Sequence, residues 1–180
     1  MPLREVPAQA VLLIQSFEGI PDGDPTTVNL DPYLDPVGIW TIGWGHAITQ
    51  GGAFLRGREN RAAARALFPG GLTRAQAEAL LRGDLVESAR DVQLMAKVPL
   101  DDGQFGALVS FAFNLGSGAL RNSTLLKLLN ARNPAGAAAE FPKWCKGTDP
   151  KTGAKVTLPG LLKRCNAERA MFLGQPWQGP

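Results

Sequence analysis

Strand-forming sequence is confined to one short stretch of this chain, and that confinement limits the folds open to it. Residues 33–45 alternate apolar and other positions around an Asp-Pro-Val-Gly turn, which predicts a small β-hairpin. Elsewhere apolar residues recur at helical spacing, which predicts helices over 7–18, 73–94, 101–114, 123–131, 134–144 and 159–173. The pattern therefore predicts an α+β fold that is mainly α, with a small β-hairpin N-terminal lobe and a larger helical lobe.

Turn chemistry separates these elements. Residues 20–32 are rich in Pro, Asp, Gly and Thr and predict a loop, whereas the Gly- and Arg-rich residues 51–71 predict irregular structure. Thr73 and Gln76 have the spacing of a capping box, which predicts the start of the long helix. Without an internal repeat or a linker, we expect one domain over residues 1–180, with lobes at about 1–72 and 73–180.

Composition narrows the classes of protein further. With 180 residues, 44% hydrophobic and 19% charged, the chain can bury a core of its own. Its two cysteines, Cys145 and Cys165, exclude a disulfide framework but leave one bridge possible. Two cysteines twenty positions apart and a single histidine do not supply four clustered ligands, so we expect no metal and no cofactor.

The charge balance is mildly basic, at +3, which favours approach to polyanions. No run of five basic residues occurs and aromatic residues do not alternate with basic ones, so nucleic acid is not an expected partner. The apolar run 10–14 is too short to span a membrane, and no cleavage pattern of a signal peptide follows it. We therefore expect the protein to accumulate in the cytoplasm, without a signal peptide.

Glu18 is the strongest candidate for acid chemistry. It follows Ile14 by one helical turn and Val11 by two, at the border of the apolar face. Partial burial and the negative end of the helix dipole both disfavour the charged form, so the carboxyl could hold a proton for donation near neutral pH. The alternative is an ordinary helix-end glutamate that points at solvent.

A second carboxylate could come from several positions. Asp35 begins the turn of the hairpin, where an aspartate commonly accepts a local backbone hydrogen bond. Asp22, Asp24 and Asp31 in the preceding loop are further candidates, and spacing does not choose among the four. Thr41 lies on the same face of its strand as Gly43 and could hold a water or a sugar, although threonine is also a common strand former.

Taken together, these residues resemble the phage-type lysozymes of glycoside hydrolase family 24. The pattern is a Glu-Gly that ends the first helix, followed by Tyr-x-Asp-x-x-Gly-x-x-Thr-Ile-Gly-x-Gly-His, and every fixed position occurs between Glu18 and His46. Residues 72–85, 104–116 and 160–172 resemble the later helices of the family. The resemblance covers most of the chain and implies a lysozyme-like fold with the cleft between its two lobes.

This resemblance assigns roles by position. Glu18 would be the general acid that protonates the glycosidic oxygen between N-acetylmuramic acid and N-acetylglucosamine. Asp35 would assist the attacking water as a base or stabilise the oxocarbenium-like transition state, and Thr41 would help to hold that water. His46 would be structural, in an ion pair or hydrogen bond beside the hairpin.

Three further positions are predicted to bind substrate. Arg164 matches an arginine that pairs with the catalytic glutamate, with a solvated helix arginine as the alternative. Asn114 would be a cleft-facing amide or a helix C-cap, and Trp144 would stack on a sugar or fill the helical lobe. Cys165 is expected to be buried.

The implied function is that of an endolysin, which hydrolyses the β-1,4 bond in bacterial peptidoglycan and lyses the host cell. Two alternatives stay open: a lytic transglycosylase on the same bond, and an inactive cationic protein that binds the cell wall. The expected partner is peptidoglycan, and the enzyme is expected to act as a monomer. It would reach the periplasm and cell wall after a membrane lesion, such as one made by a holin, without direct contact with the holin.

Overall fold

The computed structural model describes residues 2–18, 30–148 and 153–180. Contacts divide the chain into two compact units. Met1–Phe17 and Leu85–Pro180 form the first, here called the helical unit, and Glu18–Asp84 form the second, the β unit. The expectation of one domain with lobes at about 1–72 and 73–180 stays a prediction. Most of the predicted loop 20–32 lies outside the described residues.

Three small antiparallel sheets account for the strands of the described residues. The β unit holds a three-stranded sheet in the order β1-β2-β3 and a two-stranded sheet of β4 and β5, and the helical unit holds a two-stranded sheet of β6 and β7. Strand bounds are β1 Tyr33–Leu34, β2 Trp40–Ile42, β3 His46–Ala47, β4 Thr49–Gln50, β5 Ala53–Phe54, β6 Lys146–Thr148 and β7 Lys155–Thr157. The predicted hairpin is confirmed and gains a third strand. The expectation that no other stretch forms strands was wrong.

Eight α-helices lie within the described residues. They are α1 Ala8–Phe17, α2 Arg61–Leu67, α3 Arg74–Met95, α4 Asp102–Leu115, α5 Ser117–Asn122, α6 Thr124–Asn130, α7 Pro134–Glu140 and α8 Pro159–Phe172. Short 3-10 helices cover Arg58–Asn60 and Phe141–Trp144. The mainly α class is confirmed. No helix of the described part of the chain is long and apolar enough to cross a membrane.

The core of the β unit explains why a helix forms where irregular structure was expected. Trp40, Ile42, Ile48, Leu55 and Ala64 form its buried cluster. Ala64 belongs to α2, within a region expected to be irregular. The helix has no side-chain N-cap, so the usual start signal is missing, and burial of its apolar face supplies the stability instead.

Helix α4 is the centre of the helical unit. All residues from Phe105 to Ala112 are buried, and its strongest helix contacts are with α8, α1 and α5. Asp101 caps its start, because the Gln104 N–H donates to Asp101 Oδ1 over 2.7 Å while the Asp101 N–H donates to Gln104 Oε1 over 3.3 Å. A rigid helix therefore carries Ser110 and Asn114 at fixed positions along the unit.

The capping box predicted for α3 is confirmed. The Gln76 N–H donates to Thr73 Oγ1 over 3.2 Å, and the Thr73 N–H donates to Gln76 Oε1 over 2.8 Å. Satisfied donors at this end fix the start of the helix, which then runs for 22 residues to Met95.

Candidate active site

Glu18 lies at the edge of the β unit, directly after the last residue of α1. It is half-buried, and its carboxylate approaches the turn that follows β2: a Cβ added to Gly45 would lie 3.6 Å from Glu18 Oε2. Gly45 has φ +80°, a conformation that favours glycine. The turn therefore brings bare backbone next to the carboxylate.

Tyr33 connects Glu18 to Asp35. Burial, together with the nearby charges of Asp35 and Glu18, raises the pKa of its phenol to about 12. Both carboxylates therefore lie close enough to the phenol to act on its ionisation. A phenol with so high a pKa stays protonated at neutral pH and can donate a hydrogen bond.

Thr41 lies directly across from Tyr33 in the antiparallel ladder. Side chains of such a pair point to the same face, about 5 Å apart at Cβ. Thr41 is buried, and its hydroxyl donates to the Ile39 carbonyl over 3.2 Å. The hydroxyl oxygen retains a lone pair that can accept a hydrogen bond from a water.

Asp35 is held rigidly by the turn that it begins. Its Oδ1 accepts from the Ile39 N–H over 2.7 Å and from the Val37 N–H over 3.0 Å. These bonds are the local turn role anticipated from the sequence. Because both use Oδ1, the second oxygen is the one through which the half-buried carboxylate could act on a water or a substrate.

The other loop carboxylates are less informative. Asp22 and Asp24 lie outside the described residues. Asp31 is exposed, and its Oδ1 lies 3.2 Å from where a Cβ on Gly71 would be. Of the two described loop or turn candidates, Asp35 is the one that shares Tyr33 with Glu18.

His46 has the structural role predicted for it. Its Nδ1 lies 2.9 Å from both carboxylate oxygens of Asp84. The hydrogen bond to Asp84 raises the pKa of the imidazole, partial burial opposes this, and the charge of Asp84 adds to the rise. The pair links the end of the three-stranded sheet to α3.

Arg164 is buried in the helical unit, so the alternative of a solvated helix arginine was wrong. Its Nε lies 3.3 Å from Glu168 Oε1, which also accepts a 2.7 Å hydrogen bond from the Ser110 hydroxyl. Glu168 and Ser110 are fully buried. The three side chains connect α8 to α4 through a charged network.

Asn114 and Trp144 occupy different environments. Asn114 lies within α4, whose C-cap is Gly116, and its Nδ2 is buried without a hydrogen-bond partner among the described residues. The C-cap alternative for Asn114 was therefore wrong. Trp144 packs edge-to-face on the buried Phe111, with ring centroids 5.1 Å apart, as its core interpretation requires.

Sequence reasoning did not single out Tyr33 or Gly45 as members of the site. One local signal could have identified Tyr33: it precedes Asp35 by two positions, so in an extended strand both would lie on one face. Gly45 is a fixed glycine of the family pattern, but its proximity to Glu18 arises from the folding of the turn.

A mainly helical fold with small antiparallel sheets, and Glu18, Tyr33 and Asp35 within one unit, is the arrangement expected of a lysozyme-type glycosidase. The profile of the phage lysozyme family matches residues 24–168. The chain belongs to this family, and it is an endolysin-type enzyme that cleaves peptidoglycan.

Individual relatives support the same family assignment. The chain is 35% identical to an endolysin of Acyrthosiphon pisum secondary endosymbiont phage 1, over 91% of this chain and 94% of the relative. It is 39% identical to an endolysin of Bacillus phage B103 over 89% of this chain, which spans about half (51%) of that relative. The endolysin structure from Escherichia coli O157:H7 phage FAHEc1 superposes with a TM-score of 0.76, at 30% identity, covering 98% of each chain. The predicted family and lysozyme-like fold are confirmed.

Proposed function

We propose that this enzyme hydrolyses the β-1,4 bond between N-acetylmuramic acid and N-acetylglucosamine through Glu18, Asp35 and Thr41. Glu18 donates its proton to the glycosidic oxygen as the bond to the anomeric carbon breaks. Asp35 accepts a proton from the water that attacks this carbon, and Thr41 holds that water. The products are two shorter glycans, one of which ends in a reducing N-acetylmuramic acid.

The observation that carries this proposal is the shared neighbour of the two carboxylates. The charges of Glu18 and of Asp35 both raise the pKa of the Tyr33 phenol, and Thr41 is the cross-strand partner of Tyr33. The acid candidate Glu18, the base candidate Asp35 and the Thr41 hydroxyl therefore all have Tyr33 as a neighbour within a single compact unit. General acid and base work requires this kind of proximity.

The environments of the two carboxylates support different roles. Asp35 Oδ1 accepts two backbone N–H bonds, which fix the orientation of the carboxylate and leave Oδ2 to act on a water. Glu18 is half-buried beside the glycine backbone at Gly45, directly after the last residue of α1. This difference supports Glu18 as the acid and Asp35 as the base.

Substrate contacts in the helical unit remain proposals of unequal support. The buried Nδ2 of Asn114 has a hydrogen bond to donate, which supports a role in holding a sugar amide or hydroxyl. Arg164 forms a buried ion pair with Glu168, and its predicted pairing with the catalytic glutamate stays a proposal. The edge-to-face contact of Trp144 with Phe111 favours a packing role over sugar stacking.

The experiment compares peptidoglycan digests made by wild type, Glu18→Gln and Glu87→Gln, with the products identified by mass spectrometry. Glu87 is exposed on α3 and gives a control with the same change of charge. We expect reducing-end muropeptides from wild type and from Glu87→Gln. Loss of a general acid should slow their release by about 10²–10⁴-fold in Glu18→Gln.

Other outcomes would contradict the proposal. Products with a 1,6-anhydro end would show transglycosylation, in which no water attacks. No soluble products from wild type would indicate a protein that only binds the wall. Wild-type activity in Glu18→Gln, with a normal melting temperature, would remove Glu18 from the acid role.

We also propose that the enzyme acts on the wall as a monomer, after a membrane lesion such as one made by a holin. The support is membership of a family of wall-lytic enzymes. Turbidity of Gram-negative cells should fall when purified enzyme is added after permeabilisation, and sedimentation should give a mass near 19.2 kDa.

A further inference from the structure

A second feature of the β unit is a set of arginines near Asp35 that have no part in the reaction described above. A groove of about 710 Å³ runs along β1 and the start of α2. Asp35, Tyr33 and Trp40 line one part of it, and Arg58, Arg61 and Arg65 line another. A group bound to the three arginines would therefore lie in the same groove as a group that contacts Asp35.

The three arginines form one positively charged face, here called the arginine face. Their spacing of three and four residues places them on the same side of consecutive helical turns. All three are exposed, and within residues 2–18, 30–148 and 153–180 none of their side chains forms an ion pair or hydrogen bond.

Like charges at this spacing destabilise a helix. Asp35 is the one acidic side chain among the described residues that line the groove, and its Oδ1 is engaged by the turn. The arginine face therefore has an excess of positive charge that a bound anion would offset. Guanidinium groups match carboxylates in particular, because each can donate two parallel N–H bonds.

We propose that the arginine face binds the carboxylates of the peptide stem that peptidoglycan carries on its muramic acid residues. The inference rests on the proposed function, because Asp35 places the muramic residue next to the groove. Arg58 and Arg65 are separated by roughly 11 Å along the helical turns. An extended stem of four residues spans about 13 Å, so its carboxylates can reach along the face.

The test uses soluble, uncross-linked glycan strands in two forms: with native stem peptides, and with the peptide carboxylates converted to primary amides. The test variant is Arg58→Gln/Arg61→Gln/Arg65→Gln. The control is Arg90→Gln/Arg121→Gln/Arg169→Gln, which removes three exposed arginines of the helical unit and lowers the net charge by the same amount. The assay measures kcat and KM for each form.

We expect amidation to raise the KM of wild type and of the control variant by about tenfold, with kcat little changed. The test variant should show the high KM on both forms. Equal KM values of wild type for the two forms, or a preference retained by the test variant, would refute the inference. An equal loss of preference in the control variant would also refute it, in favour of general attraction to polyanions.

Failure of this inference and failure of the proposed function give different results. Glu18→Gln should lose turnover on both forms of the strand, whatever the arginine face does. If Glu18→Gln is inactive and the test variant behaves as wild type, the proposed hydrolysis is supported and the binding of stem carboxylates by the arginine face is refuted. If Glu18→Gln cleaves both forms at the wild-type rate, the assignment of the reaction to this site falls, whatever the KM ratio.

Discussion

Gly106 allows α4 to approach its neighbours, and Gly106→Ala should destabilise the protein. A Cβ at this position would lie 2.7 Å from Ala10 Cβ in α1 and 3.3 Å from Met171 Sδ in α8. Carbon atoms in contact are normally about 3.5–4.0 Å apart, so α1 would have to move by roughly 1 Å. The Met171 side chain can rotate away, but the Cβ of Ala10 moves only with its backbone.

The size of the change in the free energy of unfolding follows from two opposing effects. Alanine is better than glycine inside a helix by about 1 kcal/mol. Overpacking of a close-packed core typically costs about 1–3 kcal/mol, and the fixed Ala10 Cβ favours the upper end of that range. We therefore expect Gly106→Ala to lower the free energy of unfolding by about 2 kcal/mol.

Urea denaturation followed by circular dichroism measures this change, and Gly83→Ala is the control. Gly83 lies inside α3 with open space around its missing Cβ, so its substitution should raise the free energy of unfolding by about 0.5–1 kcal/mol. In a double-mutant cycle, Ala10→Gly should relieve part of the Gly106→Ala effect. Stabilisation by Gly106→Ala comparable to that by Gly83→Ala would refute the reasoning.

Two further predictions concern titratable groups. The folded-state pKa of His46 is raised above its unfolded value of 6.5, so its pair with Asp84 adds stability that is full below that value and is lost as the pH rises through the folded pKa. Asp84→Asn should therefore cost on the order of 1 kcal/mol near pH 5.5 and little at pH 9 in thermal melts, and an equal cost at both pH values would contradict this. Burial and the charge of Glu168 raise the pKa of the Cys165 thiol to about 12, so iodoacetamide at pH 8 should modify Cys165 in urea but not in the native protein. Peptide mass spectrometry distinguishes it from Cys145, and rapid native alkylation of Cys165 would count against its burial.

Features carried by neighbouring residues were accessible from the sequence. Helix α3 follows from the Thr73–Gln76 capping box, and β1 and β2 follow from alternation around the Asp35 turn. The order of residues from Glu18 to His46 likewise indicated the family that the comparisons establish. Capping, alternation and turn formation act over a few residues, and so they are visible in the printed chain.

Other features needed the tertiary structure because their partners are distant in sequence. Arg164 forms an ion pair with Glu168 and is buried against Ser110 of α4, whereas the sequence pattern of its own helix also permitted exposure. Helix α2 lacks a cap and is supported by packing of Ala64 into the core of the β unit.

Within the site, Tyr33 shows the same contrast between what the sequence determines and what only the tertiary structure decides. The sequence by itself determined that Glu18, Asp35 and Thr41 are present in the order the family requires. Only the fold placed the phenol of Tyr33 within reach of both carboxylates and opposite Thr41. Electrostatic coupling depends on distance in space, and the distance between residues fifteen positions apart is decided by chain folding.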